Sequence, residues 1–280
     1  MKVRWHIIEA DGRRVESQIW EPETPTGKAI LFCPGFPGRG ATMFEQRHAA
    51  ELVGQGYSII VLRHAGTRLD TPDAPFMLNN SSRLQSGRTK GETHLNGGPS
   101  TVADWLLEPL TALHWLNGRY DRIDILGNSF GAVSVLYSLT RPKAPLTKIG
   151  ALVLLAGAQG IDNDPAKGIM RIWSPALLAN PLLAERVTLD PPASIFATLK
   201  AAYNEIPPLV KALPSTIAFK YVAVRNDEIL QVSDAETFQS AIGGRGELLI
   251  NETDRGYSHL GILAHDMPDY PTAKILELLK

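Results

Sequence analysis

The stretch that decides the reading is Ile123-Asp124-Ile125-Leu126-Gly127-Asn128-Ser129-Phe130-Gly131-Ala132-Val133-Ser134-Val135-Leu136-Tyr137-Ser138-Leu139. Its first four residues are β-branched or apolar enough for a buried strand, and the run from Ala132 suits a helix packed on a sheet. Gly-x-Ser-x-Gly between a strand and a helix is the pattern of a nucleophile elbow, a turn so tight that its central serine is strained. Gly127 and Gly131 give the clearance that such a turn needs. The serine hydroxyl is lifted clear of the sheet, and the N–H of Phe130, opening the helix, points to where an oxyanion would form.

Working outward, buried strands and helices alternate. Lys2–Glu9 and Arg14–Trp20 read as a hairpin closed by Ala10-Asp11-Gly12-Arg13. Ala29–Cys33 is a continuous apolar run, ending in Pro34-Gly35-Phe36-Pro37-Gly38. A helix over 42–55 buries Met43, Phe44, Ala49, Leu52 and Val53, and Tyr57–Leu62 is the next strand. Thr101–Asn117 reads as one amphipathic helix with Val102, Trp105, Leu106, Leu110, Leu113 and Trp115 inward, and Asp104 and His114 in structural roles. After the elbow come strands at Ile149–Ala156, Ile217–Val224 and Glu247–Asn251, and helices at Ser233–Ile242 and Thr272–Leu279.

Two excursions interrupt this rhythm. Residues 63–100 are polar and glycine-rich, and an excursion of that length is usually functional or mobile. The second fills 161–216 and is dense in prolines, among them Pro191, Pro192, Pro207 and Pro208. Prolines at that spacing are expected to break helices into pieces, so 161–216 reads as a helical cap on a core of 1–160 and 217–280. Its apolar residues, Trp173 and Leu177 among them, would meet the substrate.

Hydrophobic residues make up 44% of the 280, charged ones 20%, and the formal net charge is -1. That is a globular composition without the basic surface that nucleic acid or an anionic membrane would select. The single Cys33 allows no intrachain disulfide and reads as an inert strand end. No apolar run has the length of a signal peptide's core or a membrane span. A cytoplasmic location is the expectation, with the sequons at Asn80 and Asn251 idle. No phosphate-binding loop or metal-ligand spacing is found, so no cofactor is expected.

Four segments together resemble the α/β-hydrolase family. The likeness implies a mostly parallel sheet, eight-stranded by the runs above, with helices on both faces. It also implies a triad in the chain order nucleophile, acid, histidine. Ser129 would be the nucleophile. Asp227, in Arg225-Asn226-Asp227-Glu228-Ile229-Leu230 after a strand, resembles the acid, with Glu228 as the near alternative and Asp162 or Asp164 as the remote ones. His259, in Arg255-Gly256-Tyr257-Ser258-His259-Leu260-Gly261, resembles the base, and His265 is the one other histidine downstream of the acid. The loop Pro34-Gly35-Phe36 resembles the segment that supplies the second oxyanion donor, here the Phe36 N–H beside that of Phe130.

Two departures from the family pattern stand out. Pro34 occupies the place of a histidine that normally braces the oxyanion loop. The segment Leu62-Arg63-His64-Ala65-Gly66-Thr67 matches the family poorly; Arg63 and His64 are either recognition residues or a solvated loop pair. The resemblance implies hydrolysis of a small carboxylic ester or thioester through an acyl-enzyme. Alternatives on the same scaffold are a carbon–carbon bond hydrolase, for which Gly-Asn-Ser-x-Gly also speaks, a small serine peptidase, or a non-hydrolytic binding protein or cyclase. The hairpin and the Gly-Phe-Pro-Gly loop are further similar to dienelactone-hydrolase and prolyl-oligopeptidase relatives.

Overall fold

A computed structural model of the chain describes residues 1–36, 44–65, 100–157, 190–225, 227, 230–252 and 272–280. Eight strands form one sheet: β1 (Lys2–Ala10), β2 (Arg13–Glu21), β3 (Lys28–Cys33), β4 (Ser58–Arg63), β5 (Arg122–Asn128), β6 (Ile149–Leu155), β7 (Ala218–Val224) and β8 (Glu247–Asn251). Their order across the sheet is β1-β2-β4-β3-β5-β6-β7-β8. Strand β2 runs antiparallel to both neighbours, and every pairing from β4 to β8 is parallel.

The hairpin is as the sequence suggests. Ala10 pairs with Arg13, and the two residues between them, Asp11 and Gly12, both have positive φ (50° and 71°). Those are the dihedrals of the turn whose twist matches that of flanking strands.

Alternation along the strands sends side chains into two cores. On one face Ile60, Leu62, Ile123, Ile125, Leu152, Leu154, Tyr221 and Ala223 pack under helices α2 (Val102–Trp105), α3 (Glu108–Asn117), α4 (Phe130–Leu139), α5 (Pro192–Val210) and α6 (Val232–Ala241). On the other, Ile59, Val61, Leu126, Val153, Val222 and Val224 pack under α1 (Ala50–Gly54) and α7 (Thr272–Leu278). A single turn of π-helix, Glu45–Ala49, leads into α1.

Two helices differ from expectation. The stretch 101–117 is two helices, because a continuous one would need an N–H from Pro109 to the Trp105 carbonyl, and proline has none. The break turns Leu110 and Trp115 to half-buried positions and puts Ala112 and Leu116 fully inside. The expected fragmentation of 161–216 is also corrected where that segment is described. Residues 192–210 form one helix of 19 residues, with Pro192 at its start and Pro207 and Pro208 in its final turns. Proline at the first helical turn displaces no hydrogen bond. Ile195, Leu199, Ala202, Tyr203, Ile206 and Val210 recur at helical spacing and are all buried in the first core, so α5 is part of the sheet's cover.

Candidate active site

Ser129 is the junction between β5 and α4, at φ 51° and ψ −120°. A non-glycine residue held there costs on the order of 1–3 kcal/mol, so its surroundings must impose it. They do so from two sides. The Ser129 N–H donates to the Leu155 carbonyl at the end of β6 (2.8 Å), and its own carbonyl accepts from Ala132 in the first turn of α4 (3.0 Å). Close approach does the rest. A methyl on Gly131 would lie 2.0 Å from the Cys33 carbonyl oxygen, and one on Gly157 would lie 2.1 Å from the Ser129 carbonyl oxygen. The elbow is therefore clamped between the ends of β3 and β6, and no side chain fits in either seam.

The loop after β3 reaches the same point. A Cβ built on Gly35 would lie 2.8 Å from the Cβ of Ser129. This places the Pro34-Gly35-Phe36 backbone beside the serine, with Phe36 half-buried and its ring 5.8 Å from that of Trp105. Phe130 is fully buried at the first position of α4, where an N–H has no acceptor within its own helix. Ser129 itself is 6% exposed.

Asp227 lies three residues past the end of β7 and is buried. Its N–H donates to the Val224 carbonyl (3.2 Å), and its Oδ1 accepts from the Leu230 N–H (2.9 Å), which fixes the carboxylate on a tight turn. Burial first, then the negative charge of Asp227, pushes the Tyr221 phenol well above its ordinary range. Strands β5 and β7 are two places apart in the sheet, roughly 10 Å, and Ser129 and Asp227 follow the carboxyl ends of these two parallel strands.

His259, Glu228, Asp162, Asp164, His265, Trp173 and Leu177 lie outside the described residues. Among the described residues, no group of histidine, cysteine and carboxylate side chains could hold a metal ion. No helix among them is long and apolar enough to cross a membrane. Cys33 is buried, and desolvation with the nearby Glu108 charge pushes its thiol well above its ordinary range, which fits an inert strand end. His114 is half-buried with its Nε2 3.1 Å from Asp11 Oδ2, and Asp104 accepts from the Thr101 hydroxyl (2.7 Å), so both serve structure.

Arg63 and His64 are neither a solvated pair nor open to a ligand, being 4% and 2% exposed. Arg63 points into the second face, pairs with the buried Glu45 and sits 5.4 Å over the Trp5 ring. His64 points into the first. Its Nδ1 meets Glu108 Oε2 (2.6 Å) and its Nε2 meets the Pro34 carbonyl oxygen (3.1 Å). The ring stacks on Trp105 (4.3 Å, 11°) and meets Phe130 edge-on (5.6 Å, 78°). Local patterning in the sequence does not mark Glu108. The available signal is its place three residues after Trp105 and four before Ala112, a carboxylate on the buried stripe of α3.

Among solved structures the chain is similar to an esterase of Pyrococcus furiosus, at 14% identity over 99% of this chain and 90% of that one, with a TM-score of 0.62. It is also similar to an esterase from Exiguobacterium antarcticum, at 13% identity over 98% of each chain and a TM-score of 0.62. A third likeness is to the esterase domain of a Rhodothermus marinus protein, at 14% identity over 99% of this chain and 97% of that one, with a TM-score of 0.57. Likenesses at such identity establish architecture, and the architecture is the α/β-hydrolase fold. No protein-family model and no curated protein matches the sequence.

Proposed function

We propose that the protein is a serine hydrolase that cleaves a small carboxylic ester or thioester, with Ser129 as nucleophile, His259 as base and Asp227 orienting the base. The observation that carries this is the Ser129 backbone at φ 51°, ψ −120° with the Pro34-Gly35-Phe36 loop against its Cβ. A fold has no structural reason to hold a serine in a strained turn at the mouth of a sheet. Strain of this kind collects where a reactive group must be presented.

In this reading the Ser129 Oγ attacks the acyl carbonyl while His259 takes its proton, because a serine hydroxyl is a poor nucleophile until a base accepts that proton. The developing oxyanion accepts hydrogen bonds from the Phe36 and Phe130 N–H groups. The tetrahedral intermediate collapses, and the alcohol or thiol leaves with the proton returned by His259. Water, deprotonated by the same imidazole, then attacks the acyl-enzyme and releases the acid and free Ser129. Asp227 keeps the imidazole in the tautomer that can accept from Oγ and stabilises its charged form. A gap of roughly 10 Å between the exits of β5 and β7 leaves room for one imidazole between serine and carboxylate. The segment ahead of α5, with Trp173 and Leu177, is proposed to wall the acyl group.

A fluorophosphonate probe followed by peptide mapping tests the assignment. Label on Ser129, lost in Ser129→Ala, is the expected result. Label on another serine, or an active preparation that takes up none, refutes it.

A further inference from the structure

Pro34 cannot brace the oxyanion loop with a side chain, yet its carbonyl oxygen is held. We infer that His64 is the positioning residue of the oxyanion hole: with Glu108 behind it, it fixes the Pro34 carbonyl and through it the Phe36 N–H. The inference rests on the serine-hydrolase reading for its catalytic consequence, while the brace itself stands on geometry.

Three sequence-distant segments converge on this ring. It leaves the end of β4, its Nε2 contacts the Pro34 carbonyl (3.1 Å), and its Nδ1 contacts Glu108 of α3 (2.6 Å). Trp105 of α2 stacks on one face, and Phe130, the residue after the serine, meets the ring edge-on. Its backbone is fixed as well. The next residue, Ala65, donates its N–H to Glu108 Oε1 (2.9 Å) and accepts from the Trp105 indole N–H (2.7 Å). The ring has no freedom to swing, so the hydrogen bond it gives to Pro34 holds that carbonyl in one place. Two residues on is Phe36, whose N–H must meet an oxyanion within a few tenths of an ångström to be of use.

The proton count is specific. A carbonyl oxygen only accepts, so Nε2 must carry a hydrogen. Nδ1 faces a carboxyl oxygen, so one further proton is shared between Nδ1 and Glu108. Burial pushes the Glu108 carboxyl above its ordinary range, and His64 opposes that. In either placement of the shared proton the Nε2–H remains on Pro34.

Two amide substitutions separate the contacts. In His64→Asn the amide nitrogen occupies the Nδ1 position, so it satisfies Glu108 and does not reach Pro34. In His64→Gln the longer side chain carries a donor to the Nε2 position. Glu108→Gln donates to Nδ1 and still accepts from Ala65, which preserves the brace without its charge. The measurements are hydrogen exchange of the Cys33, Gly35 and Phe36 amides, kcat and KM on a p-nitrophenyl ester, and affinity for an alkyl boronic acid, whose tetrahedral adduct places an oxygen in the hole.

In His64→Asn the loop should exchange faster, and kcat and boronate affinity should fall together by about 10- to 100-fold with KM within about threefold, as expected when a transition-state donor is misplaced. His64→Gln and Glu108→Gln should rescue all three. Unchanged loop exchange in folded His64→Asn overturns the brace. Faster exchange with kcat and boronate affinity retained, or a loss confined to KM, overturns its role in the oxyanion hole. Absence of fluorophosphonate label on wild-type Ser129 fails the hydrolase reading instead, and loop exchange then still decides the brace.

Discussion

Adding one methyl group at Gly131 should separate the elbow from the loop that completes it. A Cβ there would lie 2.0 Å from the Cys33 carbonyl oxygen, 2.6 Å from its carbon and 2.7 Å from the Pro34 carbonyl oxygen. All three are backbone atoms, so no rotamer can relieve the contact. Carbon and oxygen come to rest at about 3.3 Å, so the end of β3 must withdraw from α4 by roughly 1 Å. Overpacking of this kind costs typically 1–3 kcal/mol, and a shift of about 1 Å at a reacting centre costs on the order of 100-fold in rate. Gly131→Ala should therefore lose both stability in urea and kcat, with boronate affinity falling alongside kcat. Gly54→Ala is the control: it ends helix α1 with nothing within 4 Å of the added carbon, and should be neutral or stabilising by up to about 1 kcal/mol. A Gly131→Ala protein as stable and as active as wild type would refute the reasoning, since the close approach of α4 to β3 would then not define the site.

Three further outcomes are expected. Ser129→Gly should abolish turnover and raise stability by about 1 kcal/mol, since strain at φ 51° is relieved and only part of the gain is offset by glycine's chain entropy; an unaltered or lower urea midpoint would argue that the turn is unstrained. Asp227→Asn should keep its acceptor for the Leu230 N–H and so fold, while turnover falls by several orders of magnitude; near-normal kcat with Asp162→Asn impaired would move the acid to the earlier loop. Burial is the main cause holding the Glu45 carboxyl above its ordinary value, against Arg63, so the folded state binds its proton more tightly than the unfolded chain does. The stability this proton linkage contributes is then fully present below the ordinary carboxylate range and is lost as pH rises through the raised value. The stability of wild type relative to Glu45→Gln should accordingly fall from acid to neutral pH in thermal melts, and a difference that rises with pH would reverse the sign.

What the sequence revealed and what it hid divide along a physical line. Patterning marks strand β8 to the residue, the hairpin turn through Asp-Gly, and β3 to β7 within a residue or two. Each of these rests on local patterning: a two-residue period, an apolar run, a pair of residues that tolerates positive φ. The elbow belongs to the same class, because the strain at Ser129 and the space at Gly131 are encoded within five consecutive residues. Helix α5 escapes such patterning because a proline breaks a helix only by its position in it. At the first turn and in the last turns prolines interrupt little, and the five buried positions between them, Ile195 to Ile206, carry the helix.

The brace on the oxyanion loop was hidden for a different reason. Periodicity treats a charge as a solvent-facing residue, so Glu108 on the inward stripe of α3 reads as noise and His64 as part of a loop. Their meaning comes from a third residue, Pro34, which lies 30 positions from His64. A histidine at position 34 would put the bracing group in the loop itself, where a motif can find it. Here the group arrives from β4, and its partner carboxylate from a helix 44 positions further on. Desolvating that carboxylate is costly unless it is fully hydrogen-bonded, and Glu108 spends its two oxygens on His64 and the Ala65 N–H. A buried carboxyl with both oxygens partnered around one ring adds little to stability alone, since an apolar pair would fill the same space without desolvation. The ring it holds meets the Pro34 carbonyl, one residue from the glycine that faces Ser129, and that contact supplies the reason that stability does not.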